Sequence, residues 1–339
     1  MPRVIGIDPG TVSLDVVGLE DGRVWLDRTL PTREALDAPG QLLDLLTGRG
    51  PVDLIAGPSG YGLPLIRADR ATDAEIRLAF LAAEGESGGI GGLRRLAKML
   101  TDAGLPMVFT PGVIHLPTVP AFRKLNRVDL GTADKVAAAA LGIWDQARRS
   151  GSPRDTSFIL LELGGAFTAA IAVEGGAIVD GIGGTGGPPG WQSGGAWDGE
   201  VAFLAGEVTK EMLFRGGAGT APEGMAAYVE GAQKAVRALT AVVPAPREIL
   251  LSGRRAAEPQ IHEALAARLA GIAPVRDLAG FAATAKQGAQ GAALLADGLA
   301  GGPNAAITDA MRIGASAGTV LDYLRVITPE EARRRLGLP

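Results

Sequence analysis

Hydrophobic and polar positions in this chain alternate in short bursts that end at tight, acid-bearing turns. Val4-Ile5-Gly6-Ile7 runs into Asp8-Pro9-Gly10-Thr11, a second apolar run covers 13–19, and Asp21-Gly22 turns it into Val24-Trp25-Leu26. Apolar strands joined by an Asp-Gly pair predict a β-meander with a carboxylate at its first corner. The pattern returns half a chain later. Phe158-Ile159-Leu160-Leu161 leads to Glu162, a turn through Gly164-Gly165-Ala166, a second strand over 168–173, the turn Gly175-Gly176 and a third strand from Ala177. Two such units predict a duplicated α/β domain whose corner loops meet across a cleft. A further buried-type strand, Glu248-Ile249-Leu250-Leu251, ends in Ser252-Gly253-Arg254 ahead of a helical pattern.

Apolar spacing of helical period predicts helices over 39–47, 91–103, 132–149, 258–270 and 284–300, and short apolar runs predict strands over 52–58 and 106–110. Thr132 is the expected N-cap of its helix, and Thr328-Pro329-Glu330-Glu331 opens a capped terminal one. Segments 57–62 and 183–199 are too rich in Gly and Pro to be anything but loops. Ser150-Gly151-Ser152-Pro153-Arg154-Asp155 is the clearest linker, which predicts a first domain over 1–150, a second over 156–285, and helices over 286–339 that partly return to the first. The small residues of 284–300 suit close packing on the 132–149 helix, as a hinge pair between the halves.

The corners carry candidate chemistry. Gly10 lets the backbone approach a phosphate, and the N–H and hydroxyl of Thr11 can donate to it. Asp8 repels phosphate but suits Mg²⁺ or a metal-bound water; it equally suits a plain turn cap. The formal charge of −4 over 339 residues, with basic residues scattered, argues against a nucleic-acid binder. Cysteine is absent, which excludes disulfides, thiolate catalysis and cysteine-held clusters. The chain enters a strand at once, so no signal peptide is expected, and acids and paired glycines break its most apolar stretch, 158–179. A cytoplasmic protein with no membrane segment is the expectation, and the sequence fixes no oligomeric state, a homodimer included.

These motifs resemble the superfamily of acetate and sugar kinases, actin and the chaperone ATPases. Residues 4–24 look like its phosphate-1 motif, 158–179 like phosphate-2 and 248–258 like the adenosine motif. Val119–Lys135 gives a closer resemblance to an archaeal and bacterial family described as predicted butyrate kinases, a DUF1464-type domain. The resemblance spans nearly the whole chain. It implies two ribonuclease H-like (actin-like ATPase) domains around a central cleft, with ATP and Mg²⁺ bound there. Lack of cysteine separates the chain from the superfamily's dehydratase activators. On this resemblance Gly10, Thr11, Gly164, Gly165, Ala166, Ser252, Gly253 and Arg254 hold the nucleotide, and Asp8 and Glu162 hold the metal. The phosphate-2 acid is usually Asp; here it is Glu162, with a longer reach.

Phosphoryl transfer also needs a placed acceptor. Asp134 opens the 132–149 helix and looks like the Asp of the Gly-x-Asp-Arg motif of type III pantothenate kinases, which orients or deprotonates a hydroxyl; alternatively it is an acid favoured at a helix N-terminus. Arg123, Lys124, Asn126 and Arg127 precede it, a set that suits a carboxylate acceptor or a solvated loop. With such an acceptor no proton need be removed, and Asp134 would bind metal or position Lys135 or Arg127. His115 lies nearby as a weaker substrate candidate. Asp198 and Glu200 can serve metal or cap a helix, and Trp191 and Trp197 can wall a pocket or anchor a loop. The expected activity is an ATP-dependent kinase of a small molecule, with a short-chain carboxylate such as butyrate ahead of a hydroxyl acceptor; a non-catalytic ATP-binding regulator is the alternative.

Overall fold

Alternation along the first strand decides two cores at once: Val4 and Val17 enter one apolar cluster, while Ile5, Ile7, Leu14 and Val16 enter another. In the computed structural model of the chain, residues 1–10, 12–57, 60–83 and 90–339 are described. The expected phosphate contact of Thr11, and Pro58 and Ser59 of the 57–62 loop, lie outside them. The first sheet contains β1 (Arg3–Pro9), β2 (Ser13–Glu20), β3 (Arg23–Pro31), β4 (Leu54–Gly57), β5 (Ile66–Arg67) and β6 (Met107–Phe109), in the order β3-β2-β1-β4-β6-β5. The second contains β7 (Ser157–Leu163), β8 (Thr168–Glu174), β9 (Ala177–Ile182), β10 (Glu248–Ser252) and β11 (Val275–Asp277), in the order β11-β10-β7-β8-β9.

The duplication is visible in the pairing. In both sheets an antiparallel meander is followed by two parallel neighbours, so β3-β2-β1-β4-β6 and β9-β8-β7-β10-β11 trace the same path. Each meander also shifts register in its second hairpin, at Gly18/Leu19 and at Ala172/Val173.

Helices α1 (Thr32–Asp37), α2 (Pro39–Thr47), α3 (Asp73–Ala79) and α4 (Ile90–Asp102) follow the first meander, and α5 (Ala133–Ser150) leads to the second sheet. After that meander come α6 (Gly199–Ala205), α7 (Gly224–Leu239), α8 (Pro259–Leu269), α9 (Gln287–Leu299), α10 (Ala305–Ala310) and α11 (Pro329–Arg335). Leu42 and Leu46 of α2 and Leu96 and Leu100 of α4 cover the outer face of the first sheet. Tyr228 and Val236 of α7 and Leu265 of α8 cover the outer face of the second. Between the sheets lies a core built from Val4, Val17, Phe158, Leu160 and the alanines of α5 and α9.

Small residues make that middle layer possible. A Cβ on Gly6 would stand 2.1 Å from the Ala293 nitrogen, so α9 lies directly on β1. A Cβ on Gly291 would stand 1.7 Å from the Ala137 oxygen, so α9 and α5 touch backbone to backbone. The expected packing of these two helices is what the structure shows.

Local differences have local causes. Thr132 does not cap α5; its hydroxyl turns inward and donates to Asp134 at 2.5 Å. The Thr328 cap forms, accepting from the Glu331 N–H at 3.1 Å. Short β5, β11, α1 and α3 carry too few residues for a period to show. Among the described residues no helix is long and apolar enough to cross a membrane.

Candidate active site

Both meanders turn their first corner into the same space. The carboxylate ends of β1 and β7, the N-terminus of α5, the turn after β10 and the N-terminus of α9 line one cavity of about 300 Å³. Gly10 closes the first corner, its N–H donating to the Ser13 carbonyl at 2.8 Å and its carbonyl accepting from the Thr32 hydroxyl at 2.6 Å. Gly164 closes the second in the same way, its N–H donating to the Phe167 carbonyl at 3.0 Å. Gly165, Ala166, Ser252, Gly253 and Arg254 complete the rim. Every expected nucleotide-binding residue among those described therefore reaches one space, together with Asp8, Asp134 and Glu162.

Glu162 explains its own length. Its register partner on β10 is Ser252, and one carboxylate oxygen lies where a Cβ on Gly253 would be only 2.5 Å away. The other accepts from the Lys135 ammonium at 2.9 Å. Gly253 has φ +92, so its missing side chain serves both this backbone conformation and the space Glu162 needs. A substitution at Gly253 would consequently push on Glu162 and on the Leu163 carbonyl.

Charge in the cavity is organised around two lysines. Lys135 pairs with Asp134 at 2.5 Å as well as with Glu162. Burial alone would raise the Asp134 carboxyl, but the Lys135 ammonium and the Thr132 hydroxyl hold it below its ordinary value. Burial alone would lower Lys135, but the two carboxylates hold it well above. Asp8 has no such rescue: burial, reinforced by the Asp134 charge, pushes it up to about 7 against the pull of Lys286 and Lys135.

Lys286 went unrecognised in the sequence. Its ammonium lies 3.2 Å from Asp15, which is wholly buried on β2, and 3.3 Å from where a Cβ on Gly10 would stand. Asp27 of β3 fixes the approach to this lysine by accepting from the N–H groups of Ala283, Thr284 and Ala285 at 2.8–2.9 Å. The only sequence signal was a pair of acids, Asp15 and Asp27, within the strands of a meander.

The chemistry of the lining fits a metal-bound nucleotide. Among the described residues no three acids or histidines cluster as a ready-made metal site, so Asp8 and Glu162 offer Mg²⁺ single carboxylate donors, and Lys135, Lys286 and Arg254 suit phosphate. Leu213, Phe167 and Phe214 add an apolar part to the lining, the two rings edge to face with centroids 5.0 Å apart.

A sequence profile of the family described as "Protein of unknown function (DUF1464)" matches residues 6–326. The chain belongs to this family. No curated protein matches the sequence. Among solved structures, a propionate kinase from Francisella tularensis subsp. tularensis SCHU S4 is similar with a TM-score of 0.61 at 12% identity, over 86% of this chain and 98% of that chain. An acetate kinase from Porphyromonas gingivalis gives 0.57 at 14%, over 86% and 98%. The acetate kinase from Entamoeba histolytica gives 0.56 at 11%, over 79% and 86%. At these identities the likeness establishes the fold alone, one that the chain shares with these acetate and propionate kinase structures.

In this DUF1464 protein the other expected substrate residues do not line the cavity. Arg123 donates to the Val179 carbonyl at 2.7 Å and faces Asp180 at 3.8 Å. Lys124 is buried and donates to the Leu116 carbonyl at 2.9 Å. Asn126, at φ +54, accepts from the N–H groups of Arg325 and Val326 and so ties down the C-terminal segment. Arg127 is exposed beside Gly186. From the same segment it is Asp129 that turns inward, accepting from the Gly131 and Thr185 N–H groups at 2.9 and 3.2 Å. Asp198 caps α6 through the Glu200 N–H at 2.8 Å, and Trp191 anchors its loop against Tyr228 and Arg255.

His115 is a core residue, 2% exposed, and neither ring nitrogen has a hydrogen-bond partner among the described residues. Burial pushes its pKa down from 6.5 to about 4. Between those values the unfolded chain binds a proton that the folded one refuses, so stability falls as pH drops from 6.5 to 4. The loss amounts to about 3 kcal/mol when complete. His115→Phe is expected to flatten this acid limb in denaturant titrations at pH 4.5 and 7; an unchanged limb would show that other groups carry it.

Proposed function

We propose that the chain is an ATP- and Mg²⁺-dependent kinase that phosphorylates a short-chain carboxylate, such as butyrate, to an acyl phosphate. The observation that carries the reading is convergence: two glycine corners, the Ser252–Arg254 turn, four carboxylates and two lysines reach one cavity. ATP supplies the phosphoryl group; Asp8, with Glu162, would hold the metal that neutralises it. The glycine corners offer N–H groups and close approach for the phosphates, and Lys286 offers a cation beside the first corner.

Two features favour a carboxylate over a hydroxyl. One Asp134 oxygen is committed to the Thr132 hydroxyl at 2.5 Å within its own turn, which disfavours it as the base a hydroxyl acceptor requires. A carboxylate needs no base. The Leu213, Phe167 and Phe214 wall suits a short alkyl chain. The deciding experiment is an acceptor screen with ATP and Mg²⁺, coupled to hydroxylamine trapping. Butyrate or a close homologue is expected to give a hydroxamate in proportion to ADP formed. Product inert to hydroxylamine would promote the hydroxyl reading, and nucleotide binding without any acceptor-dependent ADP would promote a regulator.

A further inference from the structure

Lys135 sits in the first turn of α5, between the two glycine corners. An ammonium has three N–H donors. Asp134 takes one at 2.5 Å and Glu162 takes another at 2.9 Å, which leaves the third toward the cavity. The side chain is 19% exposed and its two partners 33% and 13%, so the triad faces the space it lines. Lysine is a point charge on a four-carbon stem, able to move its ammonium while α5 stays put.

The charge balance of the cavity gives this placement a purpose. Asp8, Asp129, Asp134 and Glu162 bring four carboxylates to a space where phosphates are to bind; against them stand Lys135, Arg254 at the turn after β10, and Lys286, whose ammonium is already paired with buried Asp15. Phosphate entering beside those carboxylates needs a cation at hand.

We propose that Lys135 is a phosphate-binding group held in reserve: Asp134 and Glu162 keep its ammonium while the cavity is empty, and a nucleotide phosphate takes it from them. No bond is made or broken; one ion pair replaces another, and the two carboxylates are released as oxygen donors. A lysine that merely fastens α5 to β7 would use the same contacts but would never meet the ligand.

Calorimetric titration with ADP in EDTA separates the two, because metal is then out of play. Lys135→Met is expected to weaken ADP at least tenfold. Glu162→Gln loosens the hold on the lysine and is expected to tighten ADP several-fold. Removing a negative charge would do that unaided, so the decisive comparison is Glu162→Gln in the Lys135→Met background, where the gain is expected to shrink below twofold. Should Lys135→Met alone fail to fold, Glu162→Gln and the double variant, which leaves no unpaired ammonium or Glu162 charge, are compared; a loss of more than tenfold from the first to the second is expected. ADP bound within twofold of wild type by the Lys135 variants, or an undiminished Glu162→Gln gain in the double variant, would overturn the proposal. The proposal rests on reading the cavity as a nucleotide site: wild-type protein that binds no ADP overturns that reading, whereas normal wild-type binding with an indifferent Lys135 overturns this one alone.

Discussion

Asp8→Asn is expected to lower turnover by on the order of 10²–10³ while making the ligand-free protein more stable at pH 8. The two effects share one cause. The carboxylate is buried at the first corner beside Asp134, and its pKa is pushed from 3.8 up to about 7. Between those values the folded chain keeps a proton that the unfolded chain releases, so stability falls as pH rises through the window. Above pH 7 the cost is complete, on the order of 4 kcal/mol. Asparagine keeps the shape and never ionises, so the variant escapes that cost. On the proposed function, the Asp8 charge is useful when a cation and the transferring group arrive. Thermal unfolding in EDTA at pH 5 and pH 8, with steady-state kinetics beside it, tests both halves. Full turnover, or a wild-type pH dependence in the variant, would reduce Asp8 to a turn residue.

Gly291→Ala carries the largest expected structural effect. The added methyl would stand 1.7 Å from the Ala137 oxygen and 2.3 Å from its carbonyl carbon. Both are backbone atoms of α5, which cannot step aside as a side chain can. The helices must separate, at a cost of about 3 kcal/mol or more. That separation also moves the start of α9, where Gly288 packs against the Asp8 carboxylate and Lys286 reaches Asp15. A melting temperature lower by roughly 5–10 °C is expected, with weakened nucleotide binding. Gly271→Ala is the comparison, because a Cβ there meets nothing within 4 Å. Equal melting temperatures for the two variants would show that α5 and α9 are not locked at this contact.

The period-two runs of 4–7, 14–19, 158–163 and 168–173 assign which side chains point to which face, and the small residues after Asp8 and Glu162 mark the corners. Duplication, the two glycine corners and the strand ending at Ser252 are therefore properties of the sequence by itself, because strand facing and turn chemistry depend on neighbours a few residues apart. Which charges meet is a different matter. Lys286 finds Asp15 across 271 residues, and Lys135 finds Glu162 on another element. Arg123, Lys124 and Asn126, adjacent to Asp134 in sequence, turn instead to Val179, Leu116 and the C-terminal segment. No local pattern encodes these partners; they follow from the paths of two sheets and from glycines small enough to let α5, α9 and β1 close on one another. The sequence by itself determined the frame and its corners, and only the tertiary structure decided which charges share the cavity, because ion pairs form between whatever the packed backbone brings within reach.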